Sequence, residues 1–376
     1  MGFHRSALNS LGVLDADTAT PSKGKEIIPI LFAMGEIELA HLAYRSRSTS
    51  INLASTFNQA DPRYRNLLEE KGARTFIVTE GGPGDELRHV AMYRTLAEHF
   101  SDLHITCDPR LHSILERSFP QITFVPVVRT RSEFRQLRDD RSSNAVSPLF
   151  VNFLDGNAAE LARDFELVCS SLDLLGDFRK ERPDFQDVTS LLVPDTNAKM
   201  NWSKSLDPNR LNVGIAWRGF LEGWDRSFQY LRAAQLSALA DIEGCHFWSL
   251  QAGADRRELE AFQQAIPASG VAGGIDWEND FEAQAAFIAN LDLVISPMTT
   301  IGELSSVLGV ETAFFVSSHL STWRKTPDGK DIWHMDTSSI IAADPPSDQA
   351  QMLRMLRSSI QERAAAKRQG VHPQKS

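Results

Sequence analysis

Apolar residues along this chain recur with two different periods, and the change from one to the other divides it. From Glu26 to about Arg45 the apolar positions Ile30, Met34, Ile37, Ala40 and Leu42 suit one or two helices, and Tyr64 to Lys71 predicts another short one. From Thr75 onward, short apolar runs alternate with helical stretches, which implies a parallel sheet crossed by helices. The pattern predicts strands over 76–79, 104–107, 123–128 and 149–154. Helices are predicted over 86–100, from Asp108-Pro-Arg110 to near Phe119, and over 164–175.

The run from Pro194 to Arg210 is polar and turn-rich, so it reads as an interdomain connection. The alternation then restarts, with strands over 212–217, 246–250, 293–296 and 312–316. Helices are predicted over 233–239, 256–265, 281–290, 303–308 and, long and amphipathic, 347–364. Two of the strands run into glycine-bearing loops, Glu80-Gly-Gly-Pro-Gly-Asp85 and Gly214-Ile-Ala-Trp-Arg-Gly219. Ligands of open α/β sheets bind at the carboxyl ends of the strands, so two such domains predict a cleft holding two ligands. The expected organisation is a partly disordered, helical N-terminal extension over 1–70, a Rossmann-like domain over 71–195, a second over 196–365, and a disordered tail over 366–376.

At 376 residues the chain is long enough for two domains of ordinary size. A net charge of −10 argues against nucleic-acid or anionic-membrane binding, either of which needs a basic surface. Cys107, Cys169 and Cys245 are widely spaced, which reads as reduced buried thiols rather than a disulfide frame or zinc site. No signal peptide and no membrane-spanning stretch is expected, and the predicted location is cytoplasmic. The histidines lack metal-ligand spacing, and neither a Gly-x-Ser-x-Gly elbow nor a phosphate-binding Gly-x-x-x-x-Gly-Lys loop occurs.

Glu80-Gly-Gly-Pro-Gly-Asp-Glu86, Cys107-Asp-Pro-Arg-Leu111 and Arg117-Ser-Phe-Pro120 together resemble the amino-terminal half of heptosyltransferase-like glycosyltransferases. The resemblance extends to the catalytic module that follows tetratricopeptide repeats in some bacterial proteins. Val213-Gly-Ile-Ala-Trp-Arg-Gly219, Asp225-Arg-Ser227, Phe247-Trp-Ser-Leu-Gln251, Leu291-Asp-Leu-Val-Ile-Ser296, Glu303-Leu304, Leu308-Gly309 and Trp323-Arg324 continue it in the family's order. The match covers roughly residues 75 to 340. It implies the GT-B architecture, two Rossmann-like domains facing across a cleft, with acceptor on the first and nucleotide-sugar donor on the second. It also implies inverting sugar transfer with no metal or other cofactor. The chain departs from the family where Asp-Thr-x-x-x-His is common in the donor loop: here Met298-Thr299 is followed by Glu303.

Asp85, between a glycine turn and a helix, is the candidate general base that takes the acceptor hydroxyl's proton, as the resemblance also implies; Glu80 and Glu86 are the alternatives, and a plain helix N-cap is the other role open to Asp85. Gly82, Gly84, Glu86 and His89 form the candidate acceptor loop, with glycines that allow close backbone approach and positive φ. Ser296, Thr299 and Thr300 ahead of a helix are the candidate diphosphate cradle, with Glu303 a hydrogen-bond acceptor for a sugar or ribose hydroxyl. Arg218 and Arg226 are candidates to neutralise the leaving diphosphate. The expected function is transfer of a sugar from a nucleotide-activated donor to a hydroxyl of a glycan, glycolipid or protein. A catalytically inactive binding or adaptor protein and a nucleotide-sugar epimerase are the alternatives.

Overall fold

The computed structural model describes residues 21–128, 154–180, 190–220, 230–317, 324–334, 336–343 and 348–370. The chain divides into two compact units, Met1–Gln186 and Asp187–Ser376.

The first unit begins with helices α1 (Pro21–Met34), α2 (Ile37–Ala43) and α3 (Ser48–Thr56). Gly35, at φ +80°, makes the turn between α1 and α2, a backbone conformation that suits glycine. Strands β1 (Arg74–Val78), β2 (Ser101–Cys107), β3 (Thr123–Pro126) and β4 (Leu167–Ser170) follow, with α4 (Pro83–His89), α5 (Tyr93–His99), α6 (His112–Ser118), α7 (Gly156–Ala162) and α8 (Leu175–Phe178) between and after them. All pairings are parallel, in the order β3-β2-β1-β4, with Phe76 of β1 opposite His104 on one side and Val168 on the other. The helix expected over 86–100 is broken by a 3-10 turn at Val90–Met92. The helix expected over 164–175 is instead strand β4 and the turn after it. Every residue of β4 is buried, and a strand covered on both faces reads as an unbroken apolar run that periodicity cannot tell from a helix. The helix expected over 64–71 is two 3-10 turns, Pro62–Tyr64 and Leu67–Glu69. The strand expected over 149–154 lies outside the described residues except for Leu154, which is buried.

In the second unit, the segment read as a turn-rich connection forms α9 (Thr196–Ser203). Asp195 caps it by accepting from the Ala198 N–H at 2.7 Å. None of its residues is buried, so it carries no apolar stripe to betray it. Strands β5 (Leu211–Ile215), β6 (Cys245–Ser249), β7 (Ser269–Val271), β8 (Leu293–Pro297), β9 (Thr312–Ser317) and β10 (Ser338–Ala343) form one parallel sheet in the order β10-β9-β8-β5-β6-β7. Helices α10 (Arg256–Ala265), α11 (Phe281–Ile288), α12 (Thr300–Val307) and α13 (Gln349–Arg368) accompany it, and the segment Ala233–Leu239 is 3-10. Val213, Phe247, Ile295 and Phe315 of the strands pack with Phe262 of α10 and Met352, Leu356 and Ile360 of α13 in one core. The two edge strands escape the sequence pattern because β7 is three half-buried residues and β10 opens with two serines. In chain order this sheet runs 3-2-1-4-5-6, the Rossmann order, and the first unit's sheet has the same 3-2-1-4 start. Order reverses between first and fourth strands, so the ligand crevices of such sheets fall at the ends of β1/β4 and of β5/β8.

The three described cysteines are free and buried. Burial pushes the Cys169 thiol well up and that of Cys245 up to about 11, so both stay protonated and inert at neutral pH.

His41 of α2 is fully buried, and its Nδ1 donates to the Arg179 carbonyl at 2.7 Å. Burial lowers its pKa from 6.5 to about 4, with the backbone bond to Arg179 opposing the shift. Since the unfolded chain protonates His41 first, the stability it contributes is complete above about pH 6.5 and is lost as pH falls toward 4, by about 3 kcal/mol at most. Buried Asp173, raised by burial to about 6, works in the opposite sense between about pH 4 and 6. Urea titrations from pH 7 to 4 are therefore expected to show His41→Gln losing less stability on acidification than wild type; equal slopes would disprove the assignment.

Candidate functional site

Three carboxylates crowd the loop after β1, and their surroundings differ. Glu80 is 5% exposed; Arg47 donates to its Oε2 from Nη1 at 2.6 Å and to its Oε1 from Nη2 at 2.7 Å, and the Ser170 hydroxyl donates to Oε1. Glu86 is fully buried, and both its oxygens accept the Asp108 N–H, at 3.1 and 2.9 Å. Asp85 alone reaches water, its side chain 47% exposed. Its Oδ2 accepts the Gly82 N–H at 3.1 Å, and Arg88 Nη1 donates to Oδ1 at 3.3 Å.

Gly82, not Asp85, is the N-cap of α4; Asp85 stands at the third helical position and reaches back to it. Of the loop glycines, Gly81 takes positive φ, at +90°, and a Cβ there would lie 2.4 Å from the Asp85 carboxylate. Gly82 is exposed at φ −97°, and Gly84 lies in the first turn of α4. The expectation that Glu86 and His89 face an acceptor is corrected by their burial, His89 being 2% exposed. Helical spacing turns both inward with Leu87 and Val90.

In the second unit, Ser296 is buried at the end of β8, and its hydroxyl lies 2.9 Å from that of Thr299. Thr299 is the N-cap of α12 but makes no side-chain cap, and Thr300 is the first helical residue. The helix therefore begins at a half-buried turn whose N-cap side chain leaves the first N–H groups unclosed. Glu303, in that first turn, is 1% exposed. Arg324 Nη1 donates to its Oε1 at 2.8 Å, and His334 Nε2 lies 3.1 Å from its Oε2. Arg324 also grips buried Asp331 through Nε at 3.1 Å and through Nη2. Burial disfavours the Arg324 charge, but Asp331 and Glu303 outweigh that and hold its pKa far above the usual range. Glu303 is thus sealed into an ion-pair cluster, which removes it as a ready donor contact.

Arg218, after β5, is likewise occupied. Its Nε and Nη2 donate to Glu258 at 2.8 and 2.6 Å, and its Nη groups also donate to the Gly219 and Gly253 carbonyls at 3.2 and 3.0 Å. Burial alone would raise Glu258; hydrogen bonds from Arg218 and Trp217 outweigh it and keep the carboxylate ionised. Trp217 is fully buried and stacks on Phe262 with ring centroids 5.2 Å apart, a packing role. Arg226 lies outside the described residues. Sequence reasoning missed Gln251, whose Oε1 accepts the N–H groups of Trp217 and Arg218 at 2.9 and 3.0 Å and so fixes the loop after β5. Its only sequence signal was its place at the end of the quoted Phe247–Gln251 run. Among the described residues no group of three or more His, Cys, Asp or Glu could hold a metal ion, and no helix is long and apolar enough to cross a membrane.

Set beside solved structures, the chain is similar to the ADP-heptose lipopolysaccharide heptosyltransferase II of E. coli, with a TM-score of 0.52 over 79% of this chain and 99% of that one, at 12% identity. Its fold is that of the GT-B glycosyltransferases. A glycosyl transferase family 9 structure from Veillonella parvula gives a TM-score of 0.49 at 11% identity, over 73% of this chain and 86% of its own. Protein FlbA of Caulobacter vibrioides is 24% identical over 304 residues, 79% of this chain and 48% of FlbA, so the chain spans about half the length of this curated relative. No family model matches.

Gly81→Ala is expected to cost more than about 1 kcal/mol, since alanine is strained at this φ and its Cβ would displace Asp85. Gly82→Ala, with nothing near its Cβ and a negative φ, should lose only the N-cap preference for glycine over alanine, less than about 1 kcal/mol. Equal melting temperatures for the two variants would refute this account of the turn. Arg324→Met strands two buried carboxylates and should cost about 3–5 kcal/mol by urea titration; a loss under about 1 kcal/mol would mean that the cluster is not sealed from water.

Proposed function

We propose that this chain is a glycosyltransferase that moves a sugar from a nucleotide-activated donor to an acceptor hydroxyl of a glycan, glycolipid or protein, with inversion and without a metal. The observation that carries this reading is the singling out of Asp85. Of the three carboxylates in the loop after β1, it alone is solvent-exposed and open to an incoming hydroxyl, while Glu80 and Glu86 are buried in internal bonds. The GT-B fold supplies the context, and the resemblance of the Glu80–Glu86 and Val213–Gly219 motifs to the catalytic modules of tetratricopeptide-repeat glycosyltransferases supports the same reading.

In this mechanism Asp85 takes the acceptor's proton as its oxygen attacks the anomeric carbon. The leaving phosphate is received at the start of α12, where the N–H groups of the first turn and the hydroxyls of Ser296, Thr299 and Thr300 gather. Arg226 is retained as a candidate counter-charge. One observation favours the non-catalytic alternative: Arg218 and Glu303, both candidate donor contacts, have their charged groups engaged inside the second unit.

Thermal-shift measurement against ADP, GDP, UDP, CMP and their sugars tests the donor site, because a ligand that binds the native state raises the melting temperature. With the donor so found, Asp85→Asn is expected to slow transfer by about 10²- to 10⁴-fold while leaving the thermal shift in place. Undiminished turnover in that variant would eliminate Asp85 as the base. No shift with any nucleotide would favour the binding protein.

A further inference from the structure

We infer that Arg47, carried by the N-terminal helices, is a positioning residue for the Asp85 loop: it fills the ligand crevice of the first sheet and pins Glu80, so that the following turn holds the Asp85 carboxylate in place. The inference rests on the reading of Asp85 as the base and deepens it.

The location follows from the strand order. Ligands of a sheet ordered 3-2-1-4 are expected where β1 and β4 part. Here that point is occupied from within the chain. Glu80 leaves the end of β1, Ser170 ends β4, and the Arg47 guanidinium lies on Glu80 as a bidentate fork, the strongest geometry available to an arginine and a carboxylate. Arg47 is itself immobilised. Its Nε donates to the Tyr44 carbonyl at 2.8 Å, Nη2 donates also to the Ser50 hydroxyl at 3.2 Å, and its guanidinium carbon sits 5.3 Å from the centre of the Tyr44 ring. Ser50 in turn donates to Asp173 at 2.5 Å, tying the same helix to the turn after β4.

From Glu80 the route to the candidate base is one residue long. Gly81 turns at positive φ, the Asp85 carboxylate occupies the space where a Gly81 side chain would lie, and the next N–H, that of Gly82, donates to it. Releasing Glu80 frees the start of this turn, and with it the carboxylate that closes it. A role confined to stability would leave the geometry of Gly81 to Asp85 unchanged once the chain is folded.

The test uses the full chain and two readouts. In Arg47→Met, amide hydrogen exchange over residues 80–85 is expected to quicken by about tenfold or more, and kcat for sugar transfer to fall with the donor KM unchanged. Arg47→Lys should restore part of both. The double variant Arg47→Met/Glu80→Met removes both halves of the fork together, which a buried ion pair tolerates better than the loss of one partner, and it serves if the single variant is too unstable; it too should show fast exchange and low kcat. Wild-type protection and kcat in the double variant would overturn the inference. The exchange measurement needs neither donor nor acceptor. Fast exchange in the variants of a chain that transfers no sugar would sink the proposed function and leave the positioning of Asp85 standing.

Discussion

A carboxylate shut away from water must be given hydrogen-bond donors, and near the carboxyl ends of their central strands both units supply them from an arginine. Glu80 is matched by Arg47 in the first unit and Glu303 by Arg324 in the second. Desolvation of such pairs is costly enough that they contribute little net stability, yet either partner left alone is ruinous. Their effect is to fix one arrangement of the loops around them. The exposed Asp85 and the uncapped start of α12 are both suspended from these fixed points.

The two pairs also define what each loop has left to offer a ligand. In the first, sealing Glu80 and Glu86 leaves a single accessible carboxylate on a rigid turn, which suits proton abstraction. In the second, the engagement of Glu303 by Arg324 and His334 leaves hydroxyls and backbone N–H groups rather than a side-chain charge at the helix start. That is where Met298 and Glu303 depart from the motif common among heptosyltransferase-like proteins, and the departure has a structural partner. Glu303 is accommodated by Arg324 and His334, residues that the sequence places some twenty to thirty positions away.

Much of the fold was legible because its strands are buried runs bounded by turns; α10 was read to the residue from its polar and apolar alternation. What periodicity could not supply was the identity of β4, whose burial on both faces erases any amphipathic signal, and of α9, which buries nothing. The candidate site was legible in parts. Asp85 and the cradle residues stand out through glycine and hydroxyl chemistry beside a helix start. The inward turn of Glu86 and His89, and the occupation of Arg218 by Glu258, depend on contacts made only when distant elements meet, as Gln251 does with the loop after β5. No single stretch of sequence contains both halves of such a bond.

The N-terminal helices have a consequence for how the chain comes into being. They are synthesised before the four strands of the first sheet, yet Arg45 and Ser50 find their partners Asp177 and Asp173 only 132 and 123 residues later. As the chain leaves the ribosome, Arg47 can meet Glu80 soon after β1, but Arg45 and Ser50 must wait through the whole of the first sheet before their seats exist. This helical segment is thus among the last parts of the first unit to settle, and formation of the turn and helix after β4 is the event that lets it close.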